Sequence, residues 1–229
     1  MKLRVYSRSL SCRVSSRVVV RMDRLSGPAY RIETTRTRLR CLEPKHAQLV
    51  SDAIAESLPH LLPWMGWAAH EPLSFEQRVE RMRTNRGHFD LGSDYVYGIF
   101  DKEERALYGV AALKLSVTVD ERELGYWLHV AHTGKGLAIE VGLALVRVGF
   151  ELEPLDAIEI RVDPGNERSA RVAQRLSFSG PVLDPLSYPL PEGGKADTDV
   201  YSLSRVEYAN HPARLVPIEA YDVLDRRLI

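Results

Sequence analysis

A chain of 229 residues, 45% apolar and 27% charged, is long enough for one domain with a proper core and ordinary enough in composition to be globular. Its formal net charge of zero makes no case for nucleic acid or an anionic membrane as partner, and no apolar run approaches the roughly 20 residues of a membrane span. The two cysteines, Cys12 and Cys41, give neither a disulfide framework nor a metal-ligand spacing, which fits a reducing cytoplasm and no metal.

The charge is not evenly spread. Residues 1–21 carry Lys2, Arg4, Arg8, Arg13, Arg17 and Arg21 and no acid, so the remainder holds 25 positive against 31 negative charges. This Arg- and Ser-rich stretch has the composition of a transit peptide but lacks the apolar stretch and cleavage site of a secretory signal. It reads as a disordered tail or as sequence upstream of a natural start at Met22. The domain is expected over 22–208, and 209–229 as a Pro-punctuated tail with a short helix after Pro217.

In chain order, "YRIETTRTRLRCL" (30–42) alternates like a strand with a kink. Pro44 opens a helix whose apolar residues Ala47, Leu49, Val50, Ile54 and Leu58 recur at helical spacing. The loop 59–74 holds Trp64, Met65 and Trp67, which either plug the core or wall a cleft. Ser74 and Gln77 form a capping-box pattern for a helix over 75–86, ended by Gly87 and Gly92. Three alternating segments, 94–101, 106–117 and 122–130, are joined by short charged turns and imply an antiparallel meander. A helix follows with Leu137, Val141, Ala144 and Val148 on one stripe. A strand over 156–162, a helix over 166–178 and a strand over 199–207 complete the series. The segment 181–197, with four prolines, either shapes a cleft or forms a loose hairpin. Helices interspersed among strands indicate an α/β fold with a mixed sheet covered on both faces.

A strand running into "TGKGLA" (133–138) and then a helix is an anion site. The first N–H groups of a helix have no internal partner, and the glycines admit a phosphate close to the main chain. Lys135 adds a cation. A nucleotide-hydrolysing P-loop fails here because no Ser or Thr follows Lys135, and a dinucleotide fingerprint fails because position 139 is Ile. A lone Gly-x-Gly also describes a plain glycine turn.

Several motifs in order carry more than that one. "RLRCLEP", "LLPWMGWA", "ELGYWLHVAHTGKGLAIE", "RVDPGNERSARVAQRLSF" and "DVYSLSRVEY" together resemble the GNAT superfamily of acetyl-CoA-dependent N-acetyltransferases, and more narrowly its RimJ/RimL-like branch, over roughly residues 30–208. The resemblance implies a central, mostly antiparallel sheet whose fourth and fifth strands (122–130 and 156–162) splay apart to admit the pantetheine arm of acetyl-CoA.

By that resemblance, Leu128, His129 and Val130 pair with pantetheine, and Thr133, Gly134, Lys135, Gly136, Leu137 and Ala138 hold the pyrophosphate. Thr133 stands where the family has Gln or Arg, so the side-chain contact there is weaker and main-chain N–H groups carry the site. The tyrosine acid found in many members is absent, its position being Ala173. The pattern Asn166-Glu167-Arg168-Ser169 instead nominates Ser169 to bond the sulfur and relay a proton, with Asn166 beside the coenzyme or substrate. Both also suit a helix first turn. Glu123 is the candidate base, acting directly or through a water. Some relatives carry a carboxylate at the position of Tyr95, which joins Trp64, Trp67 and Tyr126 as a candidate for the acceptor cleft.

The implied function is transfer of an acetyl group to a primary amine, on a protein N-terminus or a small molecule, by a monomer or homodimer. A non-catalytic acyl-CoA-binding module is the alternative. The acceptor itself is not written in these motifs.

Overall fold

In the computed structural model, which describes residues 28–229 apart from 117, 119, 191 and 192, nine strands form one sheet in the order β7-β8-β6-β5-β4-β3-β2-β1-β9. The expectations for residues 1–21 and for a start at Met22 lie outside the described residues. The strands are β1 (Arg31–Glu33), β2 (Arg38–Cys41), β3 (Tyr95–Phe100), β4 (Leu107–Leu115), β5 (Glu121–Leu128), β6 (Ala157–Val162), β7 (Ser179–Pro189), β8 (Lys195–Ser204) and β9 (Glu219–Tyr221). Every pairing is antiparallel except β5 with β6.

The helices are α1 (Ala47–Leu61), α2 (Phe75–Asp90), α3 (Leu137–Leu152), α4 (Glu167–Arg175) and α5 (Arg205–Tyr208). They cover both faces, as the interspersed pattern implied. One core cluster gathers Val50 and Ile54 of α1 and Met82 of α2 against Phe100 and Trp127. The other gathers the stripe Leu137, Val141, Ala144 and Val148 of α3, with Ala173 of α4, against Leu113, Leu124 and Ile158. Among the described residues no helix is long and apolar enough to cross a membrane.

The structure corrects the sequence reading in five places, the first being the strand expected over 199–207, which ends at Ser204 where the capped α5 begins. The kinked strand is a hairpin. Buried Thr34 and Thr37 close its turn, since the Thr34 N–H donates to the Thr37 carbonyl at 2.9 Å and the Thr37 N–H to Thr34 Oγ1 at 3.0 Å. Helix α2 runs through Gly87 to Asp90, and Gly92, at φ +75°, follows its end; the Ser74–Gln77 capping box forms as read. The segment 181–197 is largely strand, most of β7 and the start of β8. The three prolines of β7, at 181, 185 and 189, are tolerated because it is an edge strand that needs no N–H on its outer side. No helix follows Pro217. Residues 219–221 become β9, which pairs with β1 and closes that edge of the sheet.

Two glycines set close approaches that position the site. Gly109, at φ +152°, lies where a Cβ would run into the main-chain oxygen of Trp127 and come within 2.9 Å of Leu128 Cα, so β4 and β5 meet there only without a side chain. At Gly142 a Cβ would come within 2.7 Å of Leu176 Cδ1, so α3 seats the end of α4 directly. Gly109→Val should therefore lower the unfolding free energy by more than about 2 kcal/mol in a urea titration. Gly87→Ala, exposed in the helix with nothing within 4 Å, should instead raise it by up to about 1 kcal/mol.

Candidate active site

β5 and β6 pair at only three positions, Glu121, Arg122 and Glu123 with Ala157, Ile158 and Glu159, and then part. The His129 N–H donates to the Tyr108 carbonyl at 2.8 Å. Because ladder bonds alternate along an antiparallel pair, the odd residues of β5 face β4, and the main-chain groups of Leu124, Tyr126 and Leu128 point into the gap. Of the three residues expected to pair with pantetheine, only Leu128 offers main-chain groups there. The His129 N–H is taken by Tyr108, and the Val130 N–H donates to Ser57 Oγ at 3.1 Å. The polar edge of the gap lies on Tyr126 and Leu128, one register step earlier than expected.

The Gly-rich turn follows a single 3₁₀ turn, Val130–His132, capped by His129 Nδ1, which accepts from the Ala131 N–H at 3.2 Å. Gly134 and Gly136 sit at φ +72° and +74°, in the left-handed region that favours glycine, and α3 begins at Leu137. Among the described residues the N–H groups of 134–136 find no partner, and the first three of α3, Leu137, Ala138 and Ile139, have none by helix geometry. This is a row of donors at the positive end of a 16-residue helix, a cradle for a phosphate. Thr133 turns its hydroxyl back to the Val130 carbonyl (3.0 Å), and Lys135 Nζ donates to the Ala131 carbonyl (2.8 Å), so both side chains brace the turn.

The sequence reading missed Arg36. It stands in the β1–β2 turn, donates through Nη1 to the Lys135 carbonyl at 2.9 Å and through Nε to Glu140 Oε2 at 2.5 Å, and brings Nη2 to 3.9 Å from where a Gly136 Cβ would sit. A residue 97 positions upstream of Thr133 thus brings a guanidinium to the turn where the motif's own first position brings none. Only tertiary pairing could reveal it.

On the α1–α2 side the gap opens into a cavity of about 730 Å³, walled by Trp64, Trp67 and Trp127, with Glu123 and Ser169 on its lining and Tyr188 of β7 at its side. Asn166, Tyr126 and Lys114 also reach it. The tryptophans therefore serve both readings at once: Trp67 and Trp127 pack with ring centres 6.2 Å apart, and the same rings wall the cleft. Asn166 caps α4 by accepting the Ser169 N–H on Oδ1 at 3.1 Å. That fixes the first turn of α4, and Ser169 and Tyr126 both line the cavity. Burial raises the Tyr126 phenol, and the neighbouring Ser169 hydroxyl partly offsets it.

Burial also holds the Glu123 carboxyl above the ordinary carboxylate range. Lys114 and Arg161 pull it down, while Glu159 and Asp94 push it up. Glu123 makes no hydrogen bond among the described residues, so its oxygens are open to the cavity.

Tyr95 is not in the cleft. It shares the strand face of Tyr97 and Ile99, lies 5.2 Å from the ring of Phe89, and sits under the Arg122 guanidinium at 4.5 Å. The side chain that reaches the cleft there is Asp94, whose Oδ1 accepts the Leu115 N–H at 3.1 Å. Strand alternation carries the signal, because Asp94 shares parity with Val96, which also lines the cavity.

Residues 36–179 match the acetyltransferase (GNAT) domain family, well over half of the chain. The chain belongs to the GNAT acetyltransferase family. The [ribosomal protein uS5]-alanine N-acetyltransferase of Escherichia coli (strain K12) is 28% identical to it over 159 residues, 66% of this chain and 79% of that protein. Among solved structures, RimL, the ribosomal L7/L12 α-N-protein acetyltransferase in complex with coenzyme A, superposes with a TM-score of 0.68 at 19% identity, covering 76% of this chain and 97% of the other. Mycobacterium smegmatis RimJ in complex with CoA-disulfide gives 0.68 at 20% identity, covering 83% and 96%. The protein is thus an acetyl-CoA-dependent N-acetyltransferase, and the cradle and the splayed strands fit such a donor: N–H groups for a diphosphate, a gap with free main-chain groups for an amide-bearing arm.

Two measurements check this geometry. A carboxyl whose folded value lies above its unfolded one favours the fold below the ordinary glutamate value of about 4.3, and that contribution is lost as pH rises through the raised value. Glu123→Gln should therefore raise the Tm by at least about 2 °C at pH 8 and leave it unmoved at pH 4. Arg36→Met should weaken coenzyme A binding by about tenfold in isothermal titration, ~1.4 kcal/mol, and leave pantetheine, which lacks the diphosphate, unaffected.

Proposed function

We propose that this acetyltransferase modifies the α-amine at a polypeptide N-terminus, of the ribosomal-protein class named for its E. coli relative and for RimL. The observation that carries the reading is the walled cleft. Aromatic side chains from the segment between α1 and α2 stand on one side and the β7–β8 hairpin on the other, with a raised-pKa carboxyl and a hydroxyl between them. Such a cleft receives the end of a chain. An α-amine, with an ordinary pKa of about 7.7–8.0 against about 10.4 for lysine, also gives up its proton far more readily. A carboxyl held above its usual range is the better matched to take it. Such an acceptor would put the enzyme in the cytoplasm.

Acetyl-CoA supplies an activated thioester. Glu123 accepts the proton of the attacking amine, directly or through a water, as the C–N bond forms. Ser169 gives its hydroxyl proton to the sulfur as the C–S bond breaks and regains one from solvent, to which Glu123 releases the proton taken from the amine. The products are the acetylated amine and free CoA thiol.

Ser169→Ala should lower kcat by about 100-fold while shifting the acetyl-CoA Kd less than about threefold, measured by thiol release and by calorimetry. Peptides with free N-termini should release thiol in preference to polyamines and aminoglycosides. Tight coenzyme binding with no thiol release over the whole panel would instead mark a non-catalytic acyl-CoA-binding module.

A further inference from the structure

Arg78, on the inner face of α2, is buried where arginine is costly: its side chain and that of Glu71 are each 5% exposed. Nη2 donates to Glu71 Oε2 at 2.5 Å and Nε to Ser51 Oγ at 3.1 Å. Glu71 Oε2 also accepts the Leu73 N–H at 3.0 Å. A buried ion pair of this kind contributes little stability over an apolar pair of the same volume. What an apolar pair lacks is the remaining guanidinium nitrogen. Nη1 has no partner among the described residues, yet no sealed side-chain nitrogen there goes unbonded. Nη1 is therefore open, and the open space that Arg78 borders is the acceptor cavity.

The surroundings narrow the ligand. Glu71 neutralises Arg78, so Nη1 offers N–H donors with little net charge. The rest of the lining carries both signs, Asp94, Glu123, Asp163 and Asp197 against Arg81, Lys114 and Arg161, the last paired with Glu159 and Asp184. What sets Arg78 apart is its burial, which presents a charge-assisted donor to a carbonyl oxygen of the acceptor. We propose that Arg78 Nη1 binds the first main-chain carbonyl of the acceptor, so that a peptide with a free α-amine is used in preference to a polyamine, which has no carbonyl. This rests on the N-terminal reading above and adds the group that enforces it.

The test compares a short peptide amide bearing an N-terminal alanine with its (E)-alkene isostere, which keeps the shape and lacks the first carbonyl. The readouts are kcat/KM by thiol release and Kd by calorimetry with coenzyme A bound. Wild type should favour the peptide at least about 50-fold in both, because a site built to bond a polar group leaves that group unpaired with the analogue. The double variant Arg78→Met/Glu71→Leu removes both buried charges together, which guards the fold. It should keep the wild-type Tm and coenzyme affinity and discriminate less than about fivefold. Arg78→Lys should fall between.

Wild type treating peptide and isostere within fivefold overturns the proposal without any variant. So does a folded double variant that keeps the discrimination, or equal use of a polyamine, and in these cases the enzyme remains an N-acetyltransferase. Coenzyme binding with no acetylation of any peptide overturns the N-terminal reading as well.

Discussion

The parting of β5 from β6 after three residue pairs is the constraint on which the rest of the site depends. Main-chain polar groups left unpaired inside a sheet are costly unless something else satisfies them. Here they line the path between a helix N-terminus with open N–H groups and a cleft with an open carboxyl. β6 is free to part because β8 pairs it along its whole length on the other side, from Ala157 with Ser204 to Val162 with Asp199. β5 is held on β4 by a register in which Gly109 permits backbone contact at Trp127 and Leu128. The gap is thus a stable feature of two well-supported half-sheets.

Around that gap the chemistry is separated by face. The α3–α4 side supplies the anion cradle and, from the first turn of α4, the hydroxyl of Ser169. The α1–α2 side supplies the tryptophan wall, Glu123 and the Arg78–Glu71 pair. The cradle is built from main-chain groups, and the side chains within it brace the turn. That explains how the chain accommodates Thr133 in place of a long polar side chain. The electrostatic work at the turn passes to Arg36, whose guanidinium is aligned by Glu140 in the first turn of α3. The acceptor side depends on burial instead. Desolvation raises Glu123 despite two nearby cations, because the cleft walls exclude water from the carboxyl more than Lys114 and Arg161 compensate it.

Much of this could be read from the chain in one dimension. The stripe of α3, the Ser74–Gln77 capping box, the meander of β3 to β5 and the Gly134–Gly136 turn are local patterns, each decided by residues within a few positions of one another. Glu123, Ser169, Asn166, Trp64, Trp67 and Tyr126 all border the cleft, because each stands beside a local motif that fixes its place. The misreadings share a cause. Tyr95 was placed by position in a motif when strand parity puts it on the opposite face and Asp94 toward the cleft. β7 was obscured by prolines that only an edge strand accepts, and β9 by being three residues long with its partner, β1, at the far end of the chain.

The sequence by itself determined most element types and the anion-binding turn, because these depend on propensity, periodicity and spacing along the backbone, and its motifs in order carried the resemblance to the family. Tertiary structure alone decided which side chains converge. Arg36 meets the glycine turn across about a hundred residues of chain, and Arg78 meets the cavity through a buried partner seven residues away in a non-helical segment. The physical reason is the same in both cases: a guanidinium's role is set by what it is buried against and bonded to, and neither is encoded by its neighbours in the chain.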